Sequence, residues 1–203
     1  MGGPAPAPRA MSWKRILDPV LEPVSLDELK ANTRVDTDAA DDRLTTLIQV
    51  ARDNVERVTE RALLTQTWER RLDRFPRAPA GICLERPPLQ SVTSIQYVDP
   101  DGTLQTLDPS VYTVNSFREP GAVYPAYGET WPETRDEPDA VRVVYVAGWT
   151  EAAKVPASIR EAILRLASLW FDENAPVVVG TSVSSLPHDV DDLLAPYRMR
   201  RPK

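Results

Sequence analysis

The sequence predicts an α+β domain, with a long amphipathic helix among helices packed on one side of a small antiparallel β portion, and three observations carry that reading. Over residues 39–62, Leu44, Leu47, Ile48, Ala51, Val55, Val58 and Ala62 recur at offsets of three and four, an apolar stripe along about five helical turns. Between residues 65 and 146 the period changes to two, in short segments set apart by turn residues. After residue 155 the helical period returns, so the order is helices, strands, helices.

The elements follow in sequence. Residues 1–23 open with prolines alternating with small residues, which leave little to bury, so a partly disordered N-terminal arm is expected. Ser25-Leu26-Asp27-Glu28 is a capping box and starts a short helix that runs to about Ala31. The helix of residues 39–62 must lay its stripe against a sheet or a partner. Its other face carries Arg52, Asp53, Glu56, Arg57, Glu60 and Arg61, and the i,i+4 pairs Arg52/Glu56 and Asp53/Arg57 contribute about 0.3 kcal/mol each.

Short strands are expected at residues 65–72, 82–84, 92–98, 103–107, 111–114, 122–124 and 141–146. Asp101-Gly102 between two of them is the strongest hairpin signal in the chain. Pro87-Pro88 belongs to an edge or to the approach to a strand, since proline lacks the N–H that a ladder needs. Residues 124–138 form a long surface loop, ordered by Trp131 and two tyrosines. Pro156 suits the first turn of a second long helix, whose face of Ile159, Ile163, Leu166, Ala167, Trp170 and Phe171 ends near Asp172, before Pro176. A linker over residues 177–185 leads to a short acidic tail helix at 187–194 and a basic end, Met199 to Lys203. The expected organisation is an arm (1–23), one domain (24–175), and a linker with a C-terminal docking segment (176–203).

Composition excludes several function classes. The 24 basic and 30 acidic residues give a net charge of -6, which repels a phosphate backbone and argues against binding nucleic acid by counterion release. Cys83 and His188 are the only residues of their kinds, so no disulfide framework and no Cys/His zinc cluster can form within one chain. Cys83, inside Ile82-Cys83-Leu84, is expected to be a small core residue. No apolar run reaches the roughly 18 to 20 residues that span a bilayer. The first residues lack the basic start and apolar middle of a secretory signal, so a cytoplasmic protein with no membrane association is expected.

No catalytic, metal or cofactor site emerges. His188 is the one available imidazole base, and it lies in a Ser-rich, Pro-flanked segment typical of a solvated linker. Asp36, Asp38, Asp41 and Asp42 are oxygen donors at close spacing, but the turn glycine and distal glutamate of an EF-hand are missing, and acids at a helix start are favoured by its dipole. Residues 68–75 interleave aromatics with arginines, and Glu69 and Asp73 nearly neutralise them.

What remains is an ordered succession of short motifs. Asp41-Asp42 with Leu44, Leu47, Ile48 and Ala51 is followed by Leu64-Thr65-Gln66-Thr67-Trp68, then Arg86-Pro87-Pro88-Leu89, then the turn at Asp101-Gly102. Tyr145-Val146-Ala147-Gly148-Trp149, Val155-Pro156 and Pro196-Tyr197-Arg198 come later. Together they resemble the head-tail connector (adaptor) family of tailed bacteriophages and gene transfer particles. The resemblance implies a helical bundle with a small β portion, assembled as a dodecameric ring that joins the portal to stopper or tail proteins. It also implies a place at the head-tail junction of a virion or phage-like particle, with assembly in the host cytoplasm and DNA passing through the lumen without specific binding.

In that family the C-terminal segment typically reaches the portal, so Leu193, Leu194 and Tyr197 are expected as anchors, with Arg198, Arg200 and Arg201 as charge partners. Tyr and Arg are enriched among binding hot spots, which independently suits a tethered tail. The charged helix face, Arg52, Asp53, Glu56, Arg57, Glu60 and Arg61, is the expected subunit interface. A tail-completion or stopper protein is the nearest alternative. A small cytoplasmic hydrolase acting through acids such as Asp41 or Asp42 is the enzyme alternative.

Overall fold

The computed structural model describes residues 12–77, 79–173 and 186–199. They form α-helices and β-sheets in two compact units, each built from separate stretches of chain. Residues 1–18, 66–84 and 89–146 make a β unit, and residues 19–65, 85–88 and 147–203 make a helical unit. The sequence pattern contains this division only as a change of period, because which segments share a core depends on contacts distant along the chain.

The β unit holds two sheets. Strands β1 (Ser12–Leu17), β2 (Gln66–Leu72), β3 (Ile82–Leu84), β4 (Leu89–Val98), β5 (Leu104–Thr106), β6 (Tyr112–Asn115), β7 (Gly121–Pro125) and β8 (Val141–Ala147) arrange as a five-stranded sheet, β1-β2-β8-β4-β5, and a three-stranded sheet, β3-β7-β6. β1 runs antiparallel to β2, with Trp13 opposite Arg70 and Lys14 opposite Glu69. β8, the middle strand, alternates strictly: Val141, Val143, Tyr145 and Ala147 are buried while the residues between them are half-exposed. The hairpin joining β4 to β5 turns at Asp99-Pro100-Asp101-Gly102, where Gly102 has φ +89 and the Asp99 carboxylate accepts the N–H groups of Asp101 and Thr103.

The helical unit contains α1 (Leu26–Thr33), α2 (Asp41–Thr59), α3 (Ala157–Asp172) and α4 (His188–Leu194). Ser25 caps α1 as a full capping box, its hydroxyl accepting the Glu28 N–H while the Glu28 carboxylate accepts the Ser25 N–H. α2 is 19 residues long, shorter than the expected 39–62, because residues 38–40 form a 3-10 turn and Glu60 ends the helix in the left-handed region at φ 56. Its stripe of Leu44, Leu47, Ala51 and Val55, each fully buried, is covered within the unit by α1 and α3. Ile159, Ile163, Leu166 and Ala167 of α3 complete this core together with Val190 and Leu194 of α4. Burying each of these Leu, Ile and Val side chains stabilises the fold by about 1.5–3 kcal/mol.

Residues 62–65 leave α2 extended, and Leu64 makes a parallel bridge with Trp149. Gly148 has φ +107, and a Cβ there would lie 2.0 Å from the Leu64 carbonyl oxygen, so this approach admits only glycine. The expected linker at residues 177–185 lies outside the described residues. No helix of the described residues is long and apolar enough to cross a membrane.

Candidate functional site

The six charged residues expected as a subunit interface divide into two groups. Arg52, Glu56 and Arg61 are buried inside the chain itself, with Arg52 and Glu56 only 6% and 5% exposed. Arg52 Nη1 donates to Glu22 Oε1 at 2.7 Å, and Nη2 donates to Asp53 Oδ1 at 3.1 Å. The Glu56 carboxylate accepts the Leu63 N–H at 2.8 Å, while the Glu56 carbonyl accepts from Arg86 Nη1 at 2.9 Å. Arg61 Nε donates to the Tyr197 carbonyl at 2.7 Å.

The reason is local. Where a helix stops and the chain turns away, backbone N–H and carbonyl groups lose their helical partners and need others. Glu56 and Arg61 supply such partners, whereas Arg52, inside α2, is paired with the Glu22 and Asp53 carboxylates, so all three side chains are engaged within the chain. Asp53 and Arg57 are exposed and Glu60 is half-exposed, and these three stay on the surface.

The C-terminal segment departs further from expectation. α4 packs on α3 within the helical unit, with Val190 and Leu194 fully buried and Leu193 and Tyr197 half-buried against the same core. A 3-10 turn at Ala195–Tyr197 carries the chain to α2, where the Met199 N–H donates to the Thr59 carbonyl at 3.1 Å. Leu194 therefore cannot serve as an exposed anchor, because its side chain already fills a hydrophobic core that rewards burial as well as any partner would. Arg198 is exposed and hydrogen-bonds Asp191 within the tail. Arg200 and Arg201 lie outside the described residues.

The candidate chemical groups resolve into structural roles. His188 is exposed at the first turn of α4. Cys83 is half-buried rather than a core residue, since the period of two in β3 turns Ile82 and Leu84 inward and Cys83 away. In the acid cluster, Lys30 Nζ donates to Asp38 and Asp41 at 2.8 Å each. Those hydrogen bonds raise the Lys30 pKa, and the one to Asp38 holds that carboxyl below its usual range. Among the described residues, no group of three or more His, Cys, Asp or Glu side chains is arranged to hold a metal ion.

In β2, Glu69 accepts from Arg71 and Arg142 at 2.6 Å each. Burial pushes Glu69 up, and the two guanidinium hydrogen bonds more than offset it, so the carboxyl sits below its ordinary pKa. In the loop after β7, Trp131 stacks on Phe75 with centroids 4.9 Å apart and donates Nε1–H to the Ala80 carbonyl at 3.0 Å. The loop and residues 74–77 border an open cleft of about 320 Å³, whose lining includes Glu133 as its one acid and so lacks opposed carboxylates.

Sequence reasoning missed the exposed rim of the β unit. β1 lies inside the stretch expected to be an arm, and nearly all of it is exposed, including Ile16 and Leu17. With no buried face it has no alternating pattern, so the one usable signal was the pair Ile16-Leu17 beside Trp13. Leu104 of β5, Phe117 between β6 and β7, and Tyr127 after β7 are also exposed.

Residues 23–94 match the family described as Phage gp6-like head-tail connector protein. No curated protein matches the chain. Among solved structures, a chain of the virion of a native gene transfer agent particle is similar at 18% identity and TM-score 0.73, covering 95% of this chain and 98% of that one. A chain from the neck of an empty gene transfer agent particle, with C6 symmetry, covers the same shares at 18% identity and TM-score 0.75. A third, from the neck of a native particle with C12 symmetry, is 20% identical with TM-score 0.62, covering 93% of this chain and 97% of that one. At these identities the likeness establishes the fold.

Proposed function

We propose that this chain is a structural head-tail connector of a tailed phage or phage-like particle, a ring subunit seated between the portal and the tail or stopper proteins. The reading rests above all on near-complete coverage in both directions, 95% and 98%, by a chain of a gene transfer agent neck. The family match over residues 23–94 supports it, since that stretch supplies α1, α2 and the first strands after them. The protein works by geometry and not by turnover.

A ring subunit presents two different faces to its two neighbours, and the ring closes when the rotation per subunit divides a full turn. The C12 symmetry of one similar neck makes twelve copies the expected number. A net charge of -6 suits a lumen through which DNA slides without adhering. Portal contact falls to the C-terminal segment, now through exposed Arg198 with Arg200 and Arg201 beyond the described residues, while Leu193 and Tyr197 shape the docked tail from within.

Purified chain mixed with its portal ring and weighed by mass photometry tests this reading. Added mass equal to twelve copies per portal ring is expected. A chain that remains monomeric and never adds to the portal overturns it.

A further inference from the structure

The geometry points to the two edges of the five-stranded sheet as the complementary surfaces by which one copy of this chain grips the next, the β1 edge of one copy meeting the β5 edge of its neighbour. This rests on the connector reading, which supplies a ring of copies, and deepens it by naming the faces. β1 and β5 are the outermost strands at opposite ends of the sheet order. An edge strand is a template for pairing with another chain, so its side chains decide what it accepts.

The two edge regions carry opposite charge, on the strand itself at β1 and on the segments flanking the uncharged strand at β5. β1, Ser12–Leu17, contains Lys14 and Arg15 and no acid. Arg15 Nε is held by Asp18 at 2.7 Å, which leaves Lys14 as the exposed outward charge. Opposite Lys14 on β2, Glu69 is engaged by Arg71 and Arg142, so the border stays basic.

At the other end, residues 99–108 hold Asp99, Asp101 and Asp108 and no base. Asp99 accepts from Gln105 Nε2 at 2.8 Å and from the N–H groups of Asp101 and Thr103, and Asp108 accepts the Ser110 N–H at 2.8 Å. These hydrogen bonds hold both carboxyls below their ordinary pKa, while Asp101 is exposed. Arg135, which lies over Gly102, faces Glu137 at 3.5 Å and leaves the balance negative.

Each edge also offers apolar surface, Ile16 and Leu17 on one and Leu104 on the other, with Leu17 and Leu104 each 63% exposed. Like edges repel and unlike edges attract. The arrangement therefore disfavours two-fold dimers and favours a head-to-tail contact, the type that closes into rings. A single exposed lysine on β1 also discourages indiscriminate strand pairing while fitting an acidic neighbour.

The test uses the full chain with Lys14→Glu and Asp101→Lys, both on exposed side chains. Assembly is followed by mass photometry against concentration and salt, with circular dichroism melting as a folding check. Each variant alone should need at least about tenfold more protein to assemble. An equimolar mixture should recover wild-type assembly as strictly alternating rings, because each altered edge then meets its opposite. A wild-type ring that forms equally well with either variant, or a mixture no better than its parts, overturns this inference and leaves the connector reading standing. A wild-type chain that makes no ring, with or without portal, overturns both.

Discussion

Arg61 and Tyr197, 136 residues apart in sequence, are joined by a 2.7 Å hydrogen bond from the guanidinium Nε to the backbone carbonyl. Next to it the Met199 N–H closes onto the Thr59 carbonyl. The tail is thereby fastened at the C-terminal end of α2, where the helix leaves carbonyls in need of donors.

Replacing Arg61 with Ala should remove a charge-assisted bond at a buried position and lower stability by about 1.5–3 kcal/mol. Chemical denaturation reads the loss. Hydrogen exchange should report faster exchange of the Met199 amide in the variant. Unaltered protection over residues 195–199 would show that the tail is held by other means.

Leu194→Ala should cost about 2–5 kcal/mol through lost burial and the cavity left behind. Arg198→Ala, at an exposed ion pair, should cost no more than about 1 kcal/mol. The contrast separates core from surface in the tail. If Leu194→Ala keeps the wild-type denaturation midpoint yet abolishes portal binding, the side chain is an anchor after all.

Arg52 and Glu22 form a largely buried pair, with side chains 7% and 23% exposed. Glu22→Ala should destabilise by about 1–3 kcal/mol, because it takes away the more buried of the two carboxylates that pair with the buried guanidinium and leaves Asp53 as its partner. Removing both, as Glu22→Leu with Arg52→Met, should recover part of that loss in a double-mutant cycle. A fully additive cycle would count against the pair acting as a unit.

Acid should unfold the protein through carboxylates held below their ordinary values of 4.5 for Glu28 and Glu69 and 3.8 for Asp99 and Asp108. Glu28 is lowered chiefly by the Ser25 N–H, Asp99 by Gln105 and Asp108 by the Ser110 N–H, whereas at Glu69 the arginine hydrogen bonds overcome the upward push of burial. Because these folded-state values are depressed, their stabilisation is complete above the unfolded values and disappears as pH falls through the folded ones. Tm should stay level from pH 7 to about 5 and fall below about 4. Glu69→Gln should make that acid limb shallower, and an unchanged slope would remove Glu69 from the account.

Much of the secondary structure was legible because a buried face imposes a period. α1 with its capping box, α3, α4, the turn at Gly102 and the strict alternation of β8 all follow from residues whose neighbours lie close in sequence. β1 was not legible, since an exposed strand has no inward face to mark. The charged face of α2 carries the expectation of a subunit interface, yet Arg52, Glu56 and Arg61 serve Glu22, Leu63 and Tyr197 within the chain. Nothing in a helical period announces partners 30 or 136 residues away. For the same reason the tail looked tethered, because the groove that receives Leu194 is made by other helices.

The placement of β8 in the middle of its sheet has a consequence for synthesis. On the ribosome β1, β2, β4 and β5 emerge first, but the order β1-β2-β8-β4-β5 leaves them as two disconnected strand pairs until residues 141–147 are translated. A nascent chain therefore has no finished five-stranded sheet to offer its siblings on a polysome, and association through the edges of that sheet must wait until β8 has emerged.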